Sequence, residues 1–200
     1  DNSGLSKRLQ AAFSERWQHE GGALAFFRHA DDQQQLPQLK KLSSNDNQLV
    51  FLALGADKAR IVRPYIATDV PIFATSQVYT GNDNTLLNND LNEIRFVDMP
   101  WLLQFDHPAV MAYRQNRTIK NMDMERLYAL GIDAFRLMTH LLDPLFINEI
   151  SFDGVTGFVR AAPANQFIRE PVSAQFIQGQ VQLLDIQRTI PASVAPQSEP

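Results

Sequence analysis

The chain of 200 residues carries few side chains arranged for chemistry. Four histidines, His19, His29, His107 and His140, are spread along it, and no two stand at the HxH or HxxxH spacing that places ligands on one face. Cysteine is absent, which excludes disulfides, thiolate metal sites and a cysteine nucleophile. No GxSxG elbow, Walker loop or GxGxxG turn occurs. The stretch Gly81-Asn82-Asp83-Asn84 superficially resembles a calcium loop but lacks the spaced carboxylates and terminal glutamate of one. Asp153-Gly154-Val155-Thr156-Gly157 reads in two ways, as a ligand loop or as a turn entering a strand, and the turn is favoured.

The most chemically suggestive segment is Asp98-Met99-Pro100-Trp101. A strand there ends in a carboxylate and runs straight into an aromatic ring. In open α/β sheets, ligands collect beyond the carboxyl ends of the strands. Thr75, Ser76 and Tyr79 follow the preceding strand and are expected at the same crevice. With Asp98 and Trp101, and with Tyr128 and Asp133 from a later helix, they make a candidate ligand-binding cleft. The competing reading has Trp101 packing between lobes and Asp98 capping a turn; both stay open. No nucleophile–base pair is legible, no catalytic residue is assigned, and no metal or cofactor is expected.

These residues need a scaffold, and the apolar pattern supplies one. Leu5, Leu9, Ala12, Phe13 and Trp17 recur at helical spacing behind the capping residue Ser3, and Gly21-Gly22 ends that helix. A short strand is expected over 23–27, a helix over 31–42 and a loop over 43–47. Gln48 to Leu54 is a continuous apolar strand, as in sheets covered on both faces. A helix over 57–67, bent at Pro64, and strands over 71–75 and 93–98 follow, with a loop over 81–92. Residues 99–103 read as irregular and 107–116 as a short helix. The strongest helix covers 123–142, with one broad apolar face. Beyond 157 come short alternating runs, including a hairpin turning at Gln178-Gly179, and then a disordered Pro- and Ser-rich tail over 186–200. The alternation implies an α/β fold with a doubly wound, mostly parallel sheet. It opens on a helix whose strand should come earlier, so the chain is expected to begin inside a domain.

Composition is that of a globular chain, 44% hydrophobic and 20% charged, with a net charge of −4. The basic residues are scattered, which argues against a nucleic-acid groove. No apolar run nears the ~20 residues that span a bilayer.

Five blocks occur in order: PIFATSQVYTG (71–81), DLNEIRFVDMPWLL (90–103), RLYALGIDAFRLM (126–138), GVTGFVR (154–160) and AQFIQGQ (174–180). Together with SGLSKRLQAAFSERWQHEGG (3–22) they resemble the C-terminal domain of the LpoA/LppC family. The resemblance implies a type I periplasmic-binding-protein-like fold, with lobe two over about 1–105 and 150–185 and a crossover helix over about 123–142. It implies a non-catalytic outer-membrane lipoprotein of Gram-negative bacteria, anchored by an upstream lipid, that binds and activates a class A penicillin-binding protein from the periplasmic side. The alternative is a periplasmic receptor for a small ligand, such as an amino acid, peptide or muropeptide, in the inter-lobe cleft. Where related sequences carry a longer insertion before the QLVFLAL strand, this chain has only SSNDN.

Overall fold

The computed structural model describes residues 1–24, 34, 36–42, 48–81, 84–113, 121–142, 150–164 and 166–184. Most of the strand expected over 23–27, the loop over 43–47 and the tail over 186–200 lie outside them, as does His29.

Helix α1 (Gly4–His19) begins where Ser3 Oγ accepts from the Ser6 amide at 3.1 Å. The helix expected over 31–42 is described as a 3-10 turn, Leu36–Leu42, that buries Leu36 and Leu39. Strands β1 (Val50–Leu52), β2 (Ile72–Ala74) and β3 (Ile94–Asp98) pair in parallel, in that order. Between β1 and β2 runs α2 (Ala56–Val62), and the chain tightens to a 3-10 turn at Arg63–Tyr65, where Pro64 cannot donate to an α-helical ladder. The presumed loop over 81–92 contains a helix, α3 (Thr85–Asn89). Asn84 Oδ1 caps it, accepting from the Leu86 and Leu87 amides at 3.1 and 3.2 Å. The polar residues that read as loop are those a helix start requires.

The segment after β3 is also more regular than expected: α4 (Pro100–Leu103) is a helical turn, and α5 (Pro108–Tyr113) follows. Then comes α6 (Met122–Leu141), capped by Asn121. The alternating runs divide between two sheets. Strands β4 (Ser151–Asp153), β5 (Phe158–Ala162) and β6 (Gln166–Glu170) form a separate antiparallel sheet. Strands β7 (Val172–Ile177) and β8 (Gln180–Leu183) return to the main sheet, whose order is β1-β2-β3-β7-β8, with β7 antiparallel to β3. Their hairpin turns at Gln178 and Gly179, both at positive φ, and a Cβ at position 179 would overlap the Thr85 carbonyl.

One face of the main sheet is dry. Leu52, Ile72, Ala74, Ile94, Phe96, Ala174 and Phe176 alternate inward along the strands and meet Ala59 and Val62 of α2, Leu36, Leu39 and Leu91. On the opposite face, α1 lays Phe13 on Phe51 with the ring centroids 4.0 Å apart. A second cluster joins Met99, Trp101, Leu102, Val110, Ala129 and Val155.

Helix α6 is amphipathic in an inverted sense. Its buried positions, Glu125, Ala129 and Asp133, fall on one side at i, i+4 and i+8, and two of the three are acidic. Met124, Leu127, Leu130, Phe135 and Met138 are exposed, Phe135 by 70%. At 100° per residue the exposed apolar stripe spans about 140°, wider than the seam of a coiled coil. The helix thus buries two carboxylates against its own chain, beside Ala129, and leaves most of its larger apolar side chains facing away from it.

Candidate functional site

The carboxyl ends of the parallel strands meet the start of α6, and an arginine organises that junction. Asp98 ends β3 at a buried position. Its Oδ2 accepts from Arg126 Nη2 at 2.7 Å, and its Oδ1 accepts from Arg126 Nε at 3.2 Å and from the Met99 amide at 2.9 Å. Arg126 Nη2 also donates to the main-chain carbonyls of Ser76 at 2.9 Å and Tyr79 at 3.0 Å, and Nη1 to Asp123 at 2.9 Å. Burial alone would lower the pKa of Arg126; Asp98, and then Asp123, outweigh it and hold the guanidinium above its ordinary value. The geometry is bidentate, which only a guanidinium matches.

This junction brings together three of the seven candidate residues, Ser76, Tyr79 and Asp98. The first two contribute carbonyls, and the Tyr79 ring stacks on Phe96 at 5.7 Å. Thr75 follows β2 with a buried Oγ1 that has no hydrogen-bond partner among the described residues. Trp101 is fully buried; its Nε1 donates to Glu125 Oε2 at 2.8 Å, and its ring meets the more exposed Tyr128 at 5.6 Å. Asp133 stands two turns further along α6, roughly 10 Å from Arg126. Its carboxylate accepts from the Val155 amide at 3.1 Å, the Thr156 amide at 2.8 Å and Thr156 Oγ1 at 2.7 Å. It therefore cradles the Asp153–Gly157 stretch, which is the turn between β4 and β5. Asp98, Trp101 and Asp133 hence spend their polar groups within the chain.

Arg126 and Glu125 were absent from the sequence candidates. A cation near the start of a helix, where the dipole favours anions, was the one available signal of a fixed acidic partner.

A cavity of about 570 Å³ opens beside the junction, lined among others by Lys58, Tyr79, Thr80, Asn121, Asp123 and Arg126. Both cations are engaged, Lys58 with Asp1 at 3.3 Å and Arg126 with Asp98. His107 Nε2 lies 3.0 Å from Asp153 Oδ2, and its buried Nδ1 meets no hydrogen-bond partner among the described residues. Among the described residues no three His, Cys, Asp or Glu side chains are grouped to hold a metal. No described helix is long and apolar enough to cross a membrane.

Layered helices, the parallel β1–β3 core and the antiparallel return define an α/β domain of the periplasmic-binding-protein type. Solved structures agree. A chain described as "a putative branched-chain amino acid ABC transporter" from Chromobacterium violaceum superposes with a TM-score of 0.70 at 34% identity, over 87% of this chain and 56% of that one. The "LpoA (YraM) C-domain from Haemophilus influenzae, a regulator of PBP1A" superposes with a TM-score of 0.69 at 21% identity, over 92% of this chain and 59% of that one. The model of the family described as "LppC putative lipoprotein" matches residues 2–179, and the chain belongs to that family. Among curated relatives, the "Penicillin-binding protein activator LpoA" of Yersinia pseudotuberculosis is 25% identical over 151 residues, which are 72% of this chain and 23% of that protein. Its Haemophilus influenzae namesake is 23% identical over 162 residues, 78% of this chain and 28% of that protein. The chain thus spans about a quarter of the length of these relatives.

Proposed function

We propose that this chain is the larger part of a non-catalytic C-terminal domain that binds and activates a class A penicillin-binding protein at the periplasmic face of the outer membrane, to which an upstream lipid would anchor it. Membership of the LppC family, among relatives named as activators, carries the reading. The geometry favours it in one respect: the strand-end groups a receptor or enzyme would use are consumed internally, Asp98 by Arg126 and Asp133 by the 155–156 amides. Activation requires that the domain bind the active state of the synthase more tightly than the inactive one. Anchorage of both partners to facing membranes raises their effective concentration, so a modest affinity suffices. The test is binding of the full-length protein to a purified class A synthase, with glycan polymerisation and peptide crosslinking measured together. Absence of both binding and stimulation sinks the reading.

We further propose that residues 1–105 and 150–185 form lobe two and that α6 crosses to a first lobe, whose sheet covers the outward face of the helix. The broad apolar stripe of α6 supports this, because a flat layer buries such a width and a single helix does not. Hydrogen exchange of α6 in the two-lobed protein should be slower than in the isolated chain by at least tenfold; equal rates would refute it.

A second reading, a small-ligand receptor, rests on the 34% identity to the Chromobacterium transporter chain and on the cavity beside Tyr79. Thermal-shift screening of amino acids, peptides and muropeptides on the two-lobed protein separates it from the first. A uniformly flat response excludes it.

A further inference from the structure

The buried apolar residues of the described chain fall into two bodies. One is the main sheet with α2 and the Leu36–Leu42 turn, whose cluster runs from Leu36 to Phe176. The other joins α4, α5, α6 and β4–β6, through the cluster around Trp101 and Ala129 and through Ile150, Phe152 and Val159, on which Leu137 and Leu141 of α6 pack. The chain crosses between the bodies twice, at Met99 between β3 and α4 and at Pro171 between β6 and β7. The crossings lie side by side, because Asp98 and Val172 are register partners. Adjacent crossings of this kind have the geometry of a hinge, in which a few element-terminal residues absorb the bend. The described apolar contacts between the bodies are light: Tyr79 touches both clusters, Leu103 reaches the first, and Met122 lies against Gly81.

We infer that Arg126 is the latch of this hinge, a positioning residue that fixes how the two bodies stand to each other. From the start of α6 in one body it sends hydrogen bonds into the other, to both oxygens of Asp98 and to the Ser76 and Tyr79 carbonyls. Asp98 ends β3, and Ser76 and Tyr79 follow β2, so one guanidinium grips the ends of two neighbouring strands. The grip is stiff for two reasons. A planar fork holds its acceptors in fixed directions, and a rotation of α6 that breaks one bond strains the others. The Asp98 side chain is 1% exposed and that of Arg126 13%, so opening the joint strands a buried carboxylate without its counter-ion. Every acceptor belongs to the chain itself, so the latch closes without a third party. The inference rests on neither functional reading. Within the lobed arrangement proposed above, it puts β4–β6 on the side of α6 and the boundary at the two crossings.

The test measures distances between the bodies in the full-length protein by double electron–electron resonance, with spin labels on keto amino acids introduced at exposed positions. One pair, at Ile61 on α2 and Arg169 on β6, spans the joint; a second, at Ile61 and Gln182 on β8, lies within one body. In the wild type the spanning distribution should be no wider than about 1.5 times the internal one. Asp98→Asn combined with Arg126→Met removes the latch without orphaning a charge. It should widen the spanning distribution at least about twofold, with the internal distribution and circular dichroism unchanged. Arg126→Lys, which cannot bridge all the acceptors at once, should widen it to a lesser degree, and it decides the matter if the double variant does not fold. A wild-type spanning distribution already about twofold wider than the internal one overturns the latch, as does an unchanged width in a folded variant. Widening of both pairs together shows general loosening and overturns it too.

Discussion

Replacing Arg126 with Met keeps the apolar stem of the side chain and deletes the guanidinium with its charge. Asp98 would then remain buried with one amide donor, from Met99, and the Ser76 and Tyr79 carbonyls would each lose a partner. Removing one member of a buried ion pair costs about 3–5 kcal/mol, because the survivor's desolvation is no longer offset. Domains of this kind have about 5–15 kcal/mol in total, so the loss is a large fraction of stability. For a chain of this size it corresponds to a fall in Tm of roughly 6–20 °C. Arg126→Lys, which keeps charge but cannot bridge both carboxylate oxygens and two carbonyls, should fall between Met and wild type. The decisive measurement is a double-mutant cycle in urea with Asp98→Asn, monitored by far-UV circular dichroism and by tryptophan emission to check for a single transition. Removing the orphaned charge should recover part of the loss, with a coupling of at least about 2 kcal/mol. A cost below about 1 kcal/mol for Arg126→Met, or additivity within about 0.5 kcal/mol, would show that the pair does not hold the junction together.

Asp133→Ala should destabilise the chain by about 2–4 kcal/mol, because two buried amides and the Thr156 hydroxyl lose their acceptor; chemical denaturation measures it, and proteolysis should then cut first near the β4–β5 turn. Gly157→Ala should cost at least about 2 kcal/mol in the same assay, since φ is +132° and a Cβ would overlap the Glu170 carbonyl. Gly131→Ala should stabilise the isolated chain by up to about 1 kcal/mol, since a Cβ there meets nothing within 4 Å; a smaller gain in the two-lobed protein would mark contact at that point. In a Trp17→Phe variant the remaining indole, Trp101, should emit to the blue and resist acrylamide quenching, and red emission would contradict its burial.

The strands were legible because alternation and apolar runs report burial directly: Ile94-Arg95-Phe96-Val97-Asp98 alternates buried and exposed in the structure as it does in type. The hairpin at Gln178-Gly179 was legible from turn chemistry. Helix α3 was hidden because Asn84, its cap, belongs equally to loops. The strand-end cluster was only half legible. Asp98 stood out, but Arg126 did not, because its partners at Asp98, Tyr79 and Ser76 lie 28, 47 and 50 residues away and no local pattern encodes such a meeting. Asp133 was picked for a cleft, whereas the structure sets it against the 155–156 amides, a pairing across 22 and 23 residues.

Helix α6 is held on one side by ion pairs and buried hydrogen bonds together with small apolar contacts at Ala129, Ile132, Leu137 and Leu141, and offers a broad hydrocarbon stripe on the other. The two sides therefore answer to different physics. Separating a body seated on the outer stripe would expose mostly apolar surface and carry a large positive heat-capacity change, while loosening the inner side would hydrate charged as well as apolar groups and carry a smaller one per unit area. Cooling weakens the first contact more than the second. Calorimetry across temperature can thus tell which side of one helix has let go, and a joint of this kind can release its outer neighbour while the chain that bears the helix stays folded.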